Sequence, residues 1–140
     1  MKKKILGITF ATIFALNGAC FASGEMPDEF KLGDKVNLNR IEALSKDAQA
    51  TAFINAGSIY RCNTRDGMVM QIDHMRIDET YYGVTICGTA TQVPTGGKLL
   101  SQSQWNGMLY MTYQIADGSI VRVNSRNGVV QSVSHIMNNI

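Results

Sequence analysis

Hydrophobic and polar positions follow three different rhythms along the 140 residues. Ile5 to Leu16 is apolar except for Gly7, Thr9 and Thr12. From Asn39 onward, Ile41, Leu44, Ala48 and Ala52 recur at spacings of three, four and four residues, the period of a helix with one buried stripe. Asn39-Arg40-Ile41-Glu42 supplies an N-cap with an acid at N3, and Asn55-Ala56-Gly57 supplies a stop. The pattern predicts an amphipathic helix over residues 39–56. Its Ala-rich stripe suits a shallow groove on its own domain or on a partner.

Beyond Gly57 the period shortens to two. Strands are predicted at Ser58–Cys62, at Met68–Met75 after an Asp66-Gly67 turn, and at Thr80–Cys87, which is rich in β-branched and aromatic residues. Gln92–Gly97 interrupts the pattern. A β-meander then follows: Leu99–Trp105, Met108–Ile115, Ser119–Asn124 and Val129–Ile136. Its turns are Asn106-Gly107, Asp117-Gly118 and Asn127-Gly128, pairs that accept the positive φ of tight hairpins. In the second of these strands Leu109, Met111, Tyr113 and Ile115 share one face. In the third, Ile120 and Arg122 oppose Val121 and Val123. The expected fold is mainly β, with a short N-terminal amphipathic helix followed by a small antiparallel β-meander or half-barrel over residues 57–140. Such a sheet is too short to enclose a large cavity.

Composition then fixes the compartment. A chain of 140 residues with 45% hydrophobic and 17% charged residues holds one domain, and no second long apolar run supports a multispanning membrane protein. Lys2, Lys3 and Lys4 precede the first apolar run, and Cys20-Phe21-Ala22 places small residues at positions −3 and −1 of a cleavage site. Residues 1–22 are therefore expected to be an export signal cleaved after Ala22. The run is too short for a bilayer core that needs roughly twenty helical residues, so no transmembrane anchor is expected after cleavage. A lipoprotein reading would acylate Cys20 but finds Asn17 where an apolar residue belongs. Residues 23–38 are polar and acidic and are expected to form a flexible leader. The expected destination is the periplasm, with secretion beyond it the alternative.

Without the signal, ten basic residues face eleven acidic ones, a net charge of −1. The basic pI belongs to the export signal, and nucleic acid drops out as a partner. Two cysteines remain, Cys62 and Cys87, and an even pair in an oxidising compartment is expected to form a disulfide. Closing a loop of about 25 residues would restrict the unfolded chain by roughly 3 kcal/mol on the chain-entropy account.

No catalytic motif is present: Gly-x-Ser-x-Gly, His-Glu-x-x-His, the P-loop and Gly-x-Gly-x-x-Gly are all missing. Asp73 and His74 are strand neighbours and face opposite sides. His74 and His135 lie far apart in sequence, so neither a metal site nor a cofactor is expected. A non-enzymatic binding role remains. Trp105, Tyr110, Thr112 and Arg122 are the candidate binding surface, on the strands Met108–Ile115 and Ser119–Asn124 and beside them; an open sheet edge would also accept a partner strand.

The stretch Lys98–Val123, with Trp105-Asn106-Gly107, Asp117-Gly118-Ser119 and Ile120-Val121-Arg122-Val123, followed by Gly128–Ile136, resembles the C-terminal module of the PilP family of type IVb pilus loci. Leu32-Gly33-Asp34-Lys35 through Leu44 is similar to that family's N-terminal helix. Cys62, Cys87 and the strands between them have no counterpart in that pattern, and Arg126-Asn127-Gly128 stands where Gly-Asp is usual. The resemblance implies a periplasmic accessory factor in pilus assembly that contacts a secretin or an inner-membrane platform protein. Two other classes stay open. A toxin B subunit with an oligosaccharide-binding barrel looks similar if Leu99–Ile115 is helical. A periplasmic lysozyme inhibitor is suggested by Tyr60-Arg61-Cys62, although Ser101-Gln102-Ser103 lacks the glycine expected there.

Overall fold

The computed structural model describes residues 29–138. The expected export signal, its cleavage after Ala22 and the Cys20 question lie outside the described residues. The chain divides into two compact units, one running to Gln71 and the other from Ile72.

In the first unit, the Asn37 side chain accepts a hydrogen bond from the Asn39 N–H at 3.1 Å and caps one 3₁₀ turn, Leu38–Arg40. The turn stops at once, because Ile41 is extended. Strands β1 (Ser45–Lys46), β2 (Ala50–Asn55), β3 (Ser58–Asn63) and the start of β4 (Val69–His74) follow, hydrogen-bonded in the order β1-β2-β3-β4. The Asp47 carboxylate accepts from the Gln49 and Ala50 N–H groups and shapes the β1–β2 connection.

The amphipathic helix expected over 39–56 is therefore replaced by a strand hairpin. Ala56 and Gly57 both have positive φ, at 51° and 79°, the backbone of a two-residue turn that matches strand twist. The glycine that reads as a helix stop serves here as a hairpin corner. The competition is decided by burial. A helix would bury the stripe Ile41, Leu44, Ala48 and Ala52 but no ring, whereas the hairpin pairs Phe53 with Tyr60 and buries both rings. An aromatic side chain covers about 150–250 Å², worth several kcal/mol at roughly 25 cal/mol per Å².

The flexible leader expected over 23–38 is likewise packed where it is described. Phe30 is buried edge-on against Phe53 and Tyr60, at centroid distances of 5.9 and 5.4 Å, and its N–H donates to the Tyr60 hydroxyl. Gly33 N–H donates to the Val69 carbonyl, Val69 N–H to Asp34, and Val36 N–H to Gly67, so this segment lies along the start of β4. Gly67 is required there: its φ is +77°, and a Cβ would stand 2.1 Å from the Val36 carbonyl oxygen.

In the second unit the order is β4-β10-β9-β8-β7, from β7 (Lys98–Trp105), β8 (Met108–Gln114), β9 (Ile120–Arg126) and β10 (Val129–Ile136). This is the expected antiparallel meander, turned at the expected places; Asn106-Gly107 and Asn127-Gly128 take positive φ throughout. Leu99–Ile115 is strand, turn and strand, not the helix that the toxin-subunit reading required.

Thr80–Cys87, expected as one strand, is instead a small separate ribbon, β5 (Thr80–Tyr81) and β6 (Val84–Thr85). Tyr82 and Gly83, at φ 55° and 86°, turn the chain back in its middle. The ribbon carries Val84 and Ile86 into a core with Tyr113, Val121, Val123, Val130 and Val133, flanked by Tyr81, Tyr82, Met111 and Ile115. Its exit is anchored to β10: Cys87 N–H donates to the Val130 carbonyl, and Val130 N–H donates back to Gly88. Among the described residues, no helix is long and apolar enough to cross a membrane.

Candidate functional site

Period-two alternation and the tight turns decide which side chains meet on the meander. Trp105 is paired with Met108, Ser103 with Tyr110, and Ser101 with Thr112; across the next ladder Tyr110 is opposite Asn124 and Thr112 is opposite Arg122. Directly opposed residues share a face, so Trp105, Tyr110, Thr112 and Arg122 lie on one face of the sheet. The structure brings Tyr110, Thr112 and Arg122 together and leaves Trp105 at the far end of the same face.

Arg122 is held in place by its neighbours. Its Nε donates to Asn124 Oδ1 at 2.9 Å, and its guanidinium carbon sits 5.3 Å from the Tyr110 ring centroid, in cation–π range. Asn124 is itself fixed, donating from Nδ2 to Ser132 Oγ at 2.8 Å and to Ser134 Oγ at 3.1 Å. A planar cation locked over an aromatic ring loses little rotamer freedom on binding, which favours contact with carboxylate or carbonyl groups. Arg126 donates to the Asn106 carbonyl and steadies the turn that follows Trp105.

Strand β7 is the other unusual element. It ends the strand order, and all eight of its residues are exposed. Trp105 is 68% exposed, and Leu99 and Leu100 are each about half exposed. From Leu99 to Trp105 it carries no charge and no proline, the usual defences of an edge strand, although a register shift between Leu99 and Ser101 bends one end.

A polar cluster that sequence reasoning missed lies on the opposite face. Asp117 Oδ1 accepts from Ser119 Oγ at 2.5 Å and from the Ser119 N–H at 2.8 Å, and these two bonds hold its carboxyl below the usual carboxylate range. Ser119 Oγ also contacts His135 Nε2 at 2.7 Å, and His135 Nδ1 contacts the Tyr82 hydroxyl at 2.7 Å. An ionised carboxylate only accepts, so the Ser119 proton points to Asp117, and the network assigns the imidazole proton to Nε2. Tyr82 then donates to Nδ1. A Ser–His contact of this length is what a nucleophile needs, but here the ring donates to the hydroxyl instead of drawing its proton away, so Ser119 is not activated.

His74 joins the cluster from β4, stacked on Tyr81 at 4.0 Å between centroids and tilted towards Tyr82 at 5.9 Å. Burial, reinforced by the nearby His135, pushes the His74 imidazole down to about 4, against the pull of Asp73. Burial also lowers His135, against the opposing charge of Asp117. Turn geometry alone did not signal this cluster. A two-residue turn at Asn127-Gly128 would set Ser134 opposite Val121, and the β-bulge between Val130 and Ser132 shifts the register by one to bring His135 there, two positions from Ser119.

The expected Cys62–Cys87 disulfide is not formed; both thiols are free. Cys62 is buried on β3, and burial, with Asp66 nearby, pushes its thiol up to about 12. Cys87 is exposed, at φ 73°. No family model, no curated protein and no solved structure matches the chain.

Proposed function

We propose that the protein is a non-enzymatic accessory factor that acts by protein–protein contact, working in the periplasm in the assembly of a type IV pilus or a related secretion system. The observation that carries the contact role is β7, a strand exposed along its full length, uncharged from Leu99 onward and ending in Trp105. An extended segment of a partner adds to such an edge through main-chain hydrogen bonds. Trp105 and the Tyr110–Arg122 pair then read its side chains on the neighbouring face. The resemblance of Lys98–Val123 to the PilP module supports the assembly context, with a secretin or inner-membrane platform protein as the partner. The toxin-subunit alternative has no helix at Leu99–Ile115 to support it.

The test is genetic. Deleting the gene is expected to abolish surface pili, counted by electron microscopy, and the intact gene restores them. A Leu100→Asp/Trp105→Asp variant, changed only at exposed positions, is expected to fold normally and fail to restore. Normal pili in the deletion strain would remove the assembly role, and full rescue by the double variant would remove β7 as the contact.

A further inference from the structure

The tip of the β5–β6 ribbon is held in a strained conformation by a buried histidine, His74, and a half-buried one, His135. Tyr82 adopts φ 55°, a left-handed region that a bulky side chain rarely enters and keeps only when its surroundings enforce it. Three contacts enforce it here. The Thr95 N–H donates to the Tyr82 carbonyl, the Tyr82 hydroxyl donates to His135 Nδ1, and the neighbouring Tyr81 ring lies flat on His74. The rest of the ribbon is secured independently, by Gln92, whose amide bonds both the N–H and the carbonyl of Thr85, and by the Cys87–Val130 and Val130–Gly88 bonds. The strained tip therefore depends on the imidazoles more than the ribbon's base does.

We propose that the Tyr81–Tyr82 tip is an acid-released latch, seated while His74 and His135 are neutral and lifted when acid charges them. Several groups face these rings. The ribbon presents Tyr81 and Tyr82, the β8–β9 turn presents Asp117 through Ser119, and β4 presents Asp73 beside His74. One charge on His135 is partly met by Asp117. A second on His74 has Asp73 to offset it but is repelled by the first. Protonation also turns Nδ1 of His135 into a donor, so the Tyr82 hydroxyl loses its acceptor. Both imidazoles bind protons less readily when the tip is seated, so acid favours release. Lifting the tip uncovers Val84, which is fully buried when seated, and opens an apolar patch at that end of the meander.

Hydrogen exchange on the full chain between pH 7 and pH 4.5 tests the latch, after correction for intrinsic exchange rates. Protection of the Tyr81–Ile86 amides is expected to fall about tenfold per pH unit for each proton taken up on opening, while the amides of Val121, Val123 and Val133 hold. Tyr82→Phe, which removes only the hydroxyl, is expected to loosen the tip already at pH 7. His135→Gln, which cannot titrate, is expected to flatten the pH response. If His135→Gln does not fold, Tyr82→Phe decides. Constant tip protection down to pH 4.5, loss of the tip and of β9–β10 together, or full tip protection in Tyr82→Phe at pH 7 would each overturn the proposal.

Discussion

The two units solve the same problem, sealing a small antiparallel sheet, with different materials. The first relies on three aromatic rings, Phe30, Phe53 and Tyr60, and one of them comes from a segment thirty positions away in sequence from another. The second relies on interlocked valines, Val121, Val123, Val130 and Val133, brought together by tight turns only a few residues away. A sheet closed by local turns is specified locally. A sheet closed by a distant ring is specified only once the chain has folded back on itself.

Experiments can probe that difference. The largest expected contrast is in thiol reactivity. Cys87 is exposed and Cys62 is buried with a raised thiol, so a native protein should give one fast-reacting thiol with Ellman's reagent and a second only on unfolding. Two fast thiols would show that the β3 side of the first unit is open. Next come the core truncations. Phe53→Ala is expected to cost about 3–5 kcal/mol and Ile86→Ala about 2–5 kcal/mol in urea unfolding, and exchange should locate the loss in the first unit for Phe53→Ala and in the second for Ile86→Ala.

Glycine substitutions give a finer contrast. Gly67 and Gly128 have nearly the same φ, +77° and +78°, but a Cβ at Gly67 would strike the Val36 carbonyl while one at Gly128 meets nothing within 4 Å. Gly128→Ala should cost about 1–2 kcal/mol from backbone strain alone, and Gly67→Ala should cost clearly more, as read by the shift in denaturation midpoint. Equal losses would mean that Lys31–Val36 does not press on Gly67.

The smallest effect is a pH slope that belongs to the second unit. His74 and His135 both bind protons less readily folded than unfolded. Their contribution to stability is therefore intact above about 6.5 and declines as pH falls towards about 4, the folded value for His74. Replacing both with Gln should flatten the slope between pH 6.5 and 4.5; an unchanged slope would place the titration in other groups.

The same contrast explains what the sequence disclosed. Asn106-Gly107, Asp117-Gly118 and Asn127-Gly128 announced the meander, because an Asx-Gly pair between alternating runs has few other uses. Asn55-Ala56-Gly57 was ambiguous, since a positive-φ glycine ends helices and turns hairpins alike, and Phe30, which decides between them, lies too far away for a local pattern to reveal. Tyr82 was missed as a turn for a related reason: a tyrosine at positive φ is rare, and His135, which helps hold it, is 53 residues distant. On the candidate surface, the shared face of Tyr110 and Thr112 was legible from alternation, and Arg122 joins it through the β8–β9 register. The Asp117–Ser119–His135–Tyr82 chain required register, which alternation alone does not supply.

β7 and the face beside it are proposed as the place where this protein meets its partner. Site-specific photo-crosslinking in the native host tests this most directly, with the crosslinker placed at Ser103 on β7 and, as a control, at Ser45 on β1. The account predicts a specific crosslink from position 103 to a pilus-assembly or secretion component, lost in Leu100→Asp/Trp105→Asp, and none from position 45. No crosslink from position 103, or the same product from both positions, would contradict it.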